Sequence, residues 1–118
     1  MEFHDPNKVQ RLLEEEATDE TTVLYTVPAG KQFHIVSSIL FTDNGAVGFA
    51  SIAIVTGADV HKQYLNQLSI KTEVGIIPAD HYSPCWPMDL VAGEKIVLFS
   101  SVASLVAKGD VFGYEANA

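Results

Sequence analysis

Cationic side chains are scarce in this 118-residue chain: seven Lys and Arg stand against fifteen Asp and Glu, a formal net charge of −8. Nucleic acids are bound by cationic neutralisation of phosphates, so this balance argues against a DNA or RNA partner. Cysteine is scarcer still. The one thiol, Cys85, closes no intrachain disulfide and completes no zinc site by itself, so folding must rest on the core or on association. No apolar run approaches the roughly 20 residues of a membrane-spanning helix. The opening MEFHDPNKVQ has neither the basic start nor the apolar stretch of a secretory signal. The expectation is synthesis in a cytoplasm and no membrane partner.

Chemical motifs are missing too. The histidines, His4, His34, His61 and His81, form no HxH or HExxH spacing that would put two ligands on one metal. No GxGxxG, GxxxxGK[ST] or GxSxG occurs, which removes the usual phosphate cradles and the nucleophile elbow. Asp43-Asn44-Gly45 begins like a calcium loop, but Ala46, Val47, Gly48 and Phe49 follow where further ligands belong. Carboxylates such as Asp59, Asp80, Asp89 and Glu94 fall in expected turns, where acids serve as solvated groups or local acceptors. Catalytic, cofactor and metal sites are therefore not expected, and the chain reads as a non-enzyme.

What is present divides unevenly. Residues 1 to 20 hold seven acids against Lys8 and Arg11, a net of −5, leaving −3 for the remaining 98 residues. Asp5 as a cap, Pro6 at a first helical position and Val9, Leu12 and Leu13 at i, i+3 and i+4 predict a short helix with one docking stripe. Polar residues Thr18 to Thr22 then read as a linker, so residues 1–21 form an arm and 22–118 the body.

The body alternates short β-rich runs with turns: Val23 to Val27, Phe33 to Thr42, Val47 to Val55, the weaker Gln67 to Lys71 and Val74 to Ile77, Leu90 to Ile96, Ile96 to Ser101, Ser104 to Ala107 and Val111 to Glu115. Asn44-Gly45 is a tight-turn signal that predicts antiparallel pairing of the strands on either side. About eight strands with almost no helix predict an all-β, jelly-roll-like antiparallel β-sandwich. Several runs are apolar on both faces. In Phe33 to Phe41 one face holds Phe33, Ile35, Ile39 and Phe41 while the other holds Val36 and Leu40; residues 50–55 and 96–99 behave alike. This surplus reads as a subunit or partner interface, or else as surface covered by arm and loops within the monomer. Ser83-Pro84-Cys85-Trp86-Pro87 reads as a stiff loop, with Tyr82 and Trp86 as a contact patch for a partner or, for Trp86, as a plug at the sandwich end.

Four ordered segments carry a resemblance: Leu24-Tyr25-Thr26-Val27-Pro28-Ala29-Gly30-Lys31, Asp43-Asn44-Gly45, Leu90-Val91-Ala92-Gly93-Glu94-Lys95-Ile96 and Val111-Phe112-Gly113-Tyr114-Glu115. Over residues 22 to 116 the chain resembles small jelly-roll structural proteins of tailed-phage virions. The resemblance implies a capsid cement or decoration protein on the outer virion surface, a homotrimer bound to the major capsid protein, or else a tail-fibre or receptor-binding module, in which Tyr82 and Trp86 with Asp80 and His81 would suit a carbohydrate. In the cement reading Val9, Leu12 and Leu13 dock the arm on the lattice or on a neighbouring subunit.

Overall fold

The computed structural model describes residues 10–17 as main chain and residues 21–42, 46–71, 79–84 and 88–118 in full. Among these lie nine strands: β1 (Gln10–Ala17), β2 (Thr21–Thr26), β3 (Lys31–Thr42), β4 (Gly48–Val55), β5 (His61–Ile70), β6 (Ala79–Tyr82), β7 (Met88–Val91), β8 (Lys95–Ser100) and β9 (Ala107–Asn117). They form two antiparallel sheets. One runs β1-β9-β3 and then β6 and β7, which share the far edge of β3; the other runs β2-β8-β4-β5. Strands equidistant from the chain's midpoint pair with each other: β1 with β9, β2 with β8, β3 with β6 and β7, and β4 with β5. This is one long hairpin rolled into a sandwich, the eight-strand jelly roll expected from the sequence with one of its strands split in two. Pro84 lies between the two halves, in keeping with proline's exclusion from a continuous ladder.

The core between the sheets is built from Phe33, Ile35 and Leu40 of β3, Ile52 and Ile54 of β4, Ile96 and Leu98 of β8, and Val111 of β9. In β9 every second residue faces inward, and two of these are glycines. A Cβ at Gly109 would lie 2.9 Å from Ile52 Cδ1, and one at Gly113 would lie 2.4 Å from the Phe33 ring and 2.5 Å from the His34 carbonyl oxygen. Hydrogen at these positions is what lets β9 pass so close beneath its neighbours.

Two turns of the motif segments meet at one end of the sandwich. In Pro28 to Lys31 the Lys31 N–H donates to the Pro28 carbonyl at 3.2 Å with Gly30 at φ 76°, and in Val91 to Glu94 the Glu94 N–H donates to the Val91 carbonyl at 3.1 Å with Gly93 at φ 88°. Both glycines occupy the third turn position, where positive φ is required. The turns are joined by Val27 N–H to the Glu94 carbonyl and Gly93 N–H to the Val27 carbonyl, each 2.9 Å. Nearby, the Tyr25 hydroxyl donates to the Glu115 carboxylate and so ties the two sheets together. Burial, followed by the bonded carboxylate, pushes the Tyr25 hydroxyl well above the ordinary tyrosine range.

Three expectations are corrected. Residues 10–17 are strand, not helix: a helix this short is marginal in water, whereas pairing with β9 satisfies a row of backbone groups along its open side. The part of the helix placed on residues 5–9 lies outside the described residues. The strands flanking Asn44-Gly45 are not partners, because β3 and β4 belong to opposite sheets; residues 43–45 themselves lie outside the described set. Finally, the faces of β3 are not those of strict alternation. A bulge between Ile35 and Ser37 shifts the parity, so the fully buried residues are Phe33 and Ile35 before it and Ser38, Leu40 and Thr42 after it. Ile39 and Phe41 are left on the other side, half-buried.

Candidate functional site

The four-stranded sheet keeps its inner face for the core and is largely apolar on its outer face as well. Register places Val23 of β2, Val97 of β8, Ala53 of β4 and Tyr64 of β5 in one row across all four strands. The next row is Thr21, Phe99 and Ser51. Small side chains in the middle strand and taller ones beside them leave a groove of about 530 Å³. Its floor is closed, with Ser51, Ala53 and Val97 at 3%, 4% and 6% exposure, while its flanks stand in solvent, Val23 at 50% and Tyr64 at 42%. The apolar surplus read from residues 50–55 and 96–99 thus faces outward here.

Aromatic packing stiffens one side. Phe49 meets Tyr64 edge-on at 6.0 Å between centroids and Phe99 at 6.2 Å, and the His61 ring lies 4.3 Å from that of Tyr64. Two bulges in the β4–β5 pairing aim these residues. The inner one turns both Leu65 and Asn66 into the interior while Tyr64 stays outside. The carboxylate in the lining, Asp59, is engaged by Lys95 Nζ at 2.9 Å. Such a surface excludes water from an apolar partner.

Other polar groups serve the framework. The Ser38 hydroxyl donates to Asn66 Oδ1 at 2.5 Å, and Asn66 Nδ2 donates to the Asp80 carbonyl at 3.0 Å and to Asp80 Oδ2 at 3.1 Å, linking β3, β5 and β6. Glu94 is buried and accepts from Lys62 Nζ and from the Val91 N–H. Burial pushes its carboxyl up, but these two donors outweigh that and leave it below the usual carboxylate value. His34 Nδ1 contacts Asp89 Oδ1 across the β3–β7 pair, whereas His81 sits opposite Ile39, so the two histidines occupy separate rows. Among the described residues no three His, Cys, Asp or Glu side chains gather as metal ligands would.

Of the contact residues read from sequence, Val9 and Trp86 lie outside the described residues. Leu12 and Leu13 fall within β1, where Leu12 is opposite Val111. Tyr82 ends β6 opposite Ser38 and packs, half-buried, against the core. Asp80, its neighbour in the carbohydrate reading, is committed to Asn66. The groove residues Val23, Phe49, Val97, Phe99 and Tyr64 are not singled out by sequence; the double-sided apolar pattern of residues 50–55 and 96–99 is a signal for the strands that carry Phe49, Val97 and Phe99, and Val23 and Tyr64 have none.

No protein-family model matches the chain, and no curated protein matches its sequence. Solved structures do match by fold. Two structures of a pentameric capsid protein isolated from metagenomic phage sequences superpose with TM-scores of 0.54 at 18% identity, each over 92% of this chain. The chain has a viral-capsid-like fold. It spans 63% and 62% of the length of those chains, less than two thirds of either. A structure of infectious bursal disease virus, Gx strain, is a looser likeness, with a TM-score of 0.45 at 9% identity.

Proposed function

We propose that this chain is a non-enzymatic structural protein of a virion, acting as a cement or decoration protein on the outer surface of the major capsid protein lattice. The observation that carries the reading is the jelly-roll likeness to a phage capsid protein over nearly the whole chain. An apolar outward groove and a net charge of −8 agree with a protein that works by contact with other proteins and not with nucleic acid. In place of the homotrimer expected from sequence we propose a pentamer, the state named for the capsid protein that shares this fold. Within this reading Val9, Leu12, Leu13, Tyr82 and Trp86 remain proposed contact residues, with Leu12 and Leu13 presented from strand β1 and not from a helix.

Purified chain mixed with undecorated shells should co-sediment with them, and particle imaging should show added density outside the shell. Light scattering on the free chain should give five protomer masses; a mass of three would restore the trimer. Binding to host cells with none to shells would replace the cement reading by the tail-fibre, receptor-binding one.

A further inference from the structure

The groove on the four-stranded sheet runs along its strands and has two unlike ends. At one end Thr21 of β2, Phe99 of β8 and Ser51 of β4 stand side by side in register. At the other Val55 of β4 is opposite His61 of β5, with Asp59 just before it in the chain. From Ser51 to Val55 is four strand steps, a length of about 13 Å at roughly 3.3 Å each. The row of Val23, Val97, Ala53 and Tyr64 lies between the ends.

Charge divides the ends too. Asp59 is closed off by Lys95 Nζ at 2.9 Å. The sequence that runs into Thr21, Glu14-Glu15-Glu16-Ala17-Thr18-Asp19-Glu20, holds five acids and no Lys or Arg. Consecutive Cα atoms are about 3.8 Å apart, so covalent geometry alone keeps the Cα atoms of Asp19 and Glu20 within about 8 Å of Thr21. The rest of the chain does little to offset them. Lys62 and Lys95 are held by Glu94 and Asp59, which leaves thirteen of the fifteen acids against five cations. A negative potential therefore gathers where the groove starts.

We propose that the groove receives a segment of another protein whose apolar side chains fill the floor and whose Lys or Arg residues, on one flank, lie at the Thr21 end. This rests on the capsid reading for the partner's being a virion protein, and adds the surface and the chemistry that recognise it. The apolar part excludes water and the charged part sets direction and register. The segment binds by its side chains and not as an added strand. β2, which borders the groove, loses register on β8 between Val23 and Tyr25, and such a bulge twists an edge away from the flat template that strand addition needs.

Fluorescence anisotropy of the full chain tests this with three labelled peptides: a Leu-Val-Leu core preceded by Lys-Lys-Lys, the same core preceded by Glu-Glu-Glu, and the lysines followed by Ser-Ser-Ser. Only the first should bind, and its dissociation constant should rise at least about tenfold between about 0.05 and 0.5 M salt. Val23→Lys and Tyr64→Lys, at exposed positions of the groove, should each weaken it at least about tenfold. Asp19→Asn with Glu20→Gln should weaken it about threefold and flatten the salt dependence. Val91→Lys, exposed and outside the groove lining, should stay within about twofold. Circular dichroism should show all variants folded; should Val23→Lys fail to fold, Thr21→Arg, in the same lining, carries the same expectation. Undecorated shells should rank the variants in the same order. A lysine peptide that does not bind, a glutamate peptide that binds as well, or groove variants that bind like the wild type would overturn the inference. Self-association abolished by Val23→Lys, with no peptide bound, gives the groove to a second copy and overturns it too. Shells bound equally by wild type and groove variants overturn it while sparing the capsid reading. Lysine peptide bound through the groove, with shells ignored, does the reverse.

Discussion

The inner and outer faces of the sandwich are built on opposite terms, and the contrast is sharpest between β9 in the five-stranded sheet and β4 in the four-stranded one. β9 turns Gly109 and Gly113 inward, where space is so short that a methyl group does not fit. β4 turns Ser51 and Ala53 outward, where small side chains form the floor of an open groove. Small residues are thus used twice, once to close a distance within the molecule and once to leave room for something outside it. Stability should therefore be sensitive at β9 and at the seams between sheets, and association at the outer face of β4 and its neighbours.

The largest effect is expected at Gly113. An alanine there meets the Phe33 ring and a backbone carbonyl that cannot step aside, so Gly113→Ala should cost about 3 kcal/mol in urea unfolding or prevent folding. Gly109→Ala meets only side-chain atoms of Ile52 and Leu98 and should cost about 1 to 2 kcal/mol. If the two variants were equally mild, β9 would not be the close-approach strand described.

Next comes the seam of Ser38, Asn66 and Asp80. Asn66→Ala leaves the buried Ser38 hydroxyl without the acceptor it uses and should cost about 1 to 3 kcal/mol. A double-mutant cycle with Ser38→Ala should return a coupling of at least about 0.5 kcal/mol; additive effects would mean that the seam does not act as a unit.

Glu94 gives a pH test. Its folded-state pKa lies below the ordinary 4.5, so its contribution is fully present above that value and is lost as pH falls through the lowered one. Glu94→Gln should destabilise by about 1 to 2 kcal/mol at neutral pH, and the gap from wild type should close on acidification through that lower pKa. A gap independent of pH would assign the effect to packing. The smallest change in stability is expected from Val23→Lys, within about 0.5 kcal/mol of wild type for the folded monomer, although it is the variant expected to impair association. A large loss of monomer stability there would erase the contrast between the two faces.

Much of the framework can be read from the chain. Gly30 and Gly93 mark turns whose third position needs positive φ, and the β-rich runs between such turns announce a sandwich without helices in its body. The groove was legible only as a surplus: residues 50–55 and 96–99 have apolar groups on both faces, but nothing local says which neighbours complete the surface. Val23 and Tyr64, at either end of one row, are 41 positions apart in sequence and meet through register alone. Tyr82, prominent as an aromatic beside a proline-stiffened loop, packs against the core instead of standing clear.

Composition, apolar patterning and turn residues determined that this chain folds as an all-β jelly roll, because those preferences act within a few residues and agree along the body. The tertiary structure decided what local preference leaves open. Residues 10–17 became a strand because β9 had backbone groups to pair, β3 and β4 went to opposite sheets instead of forming a hairpin, and one bulge at Val36 reversed the faces of the rest of β3. In each case the deciding energy is hydrogen bonding and packing against strands far away in sequence, which no window of neighbouring residues contains.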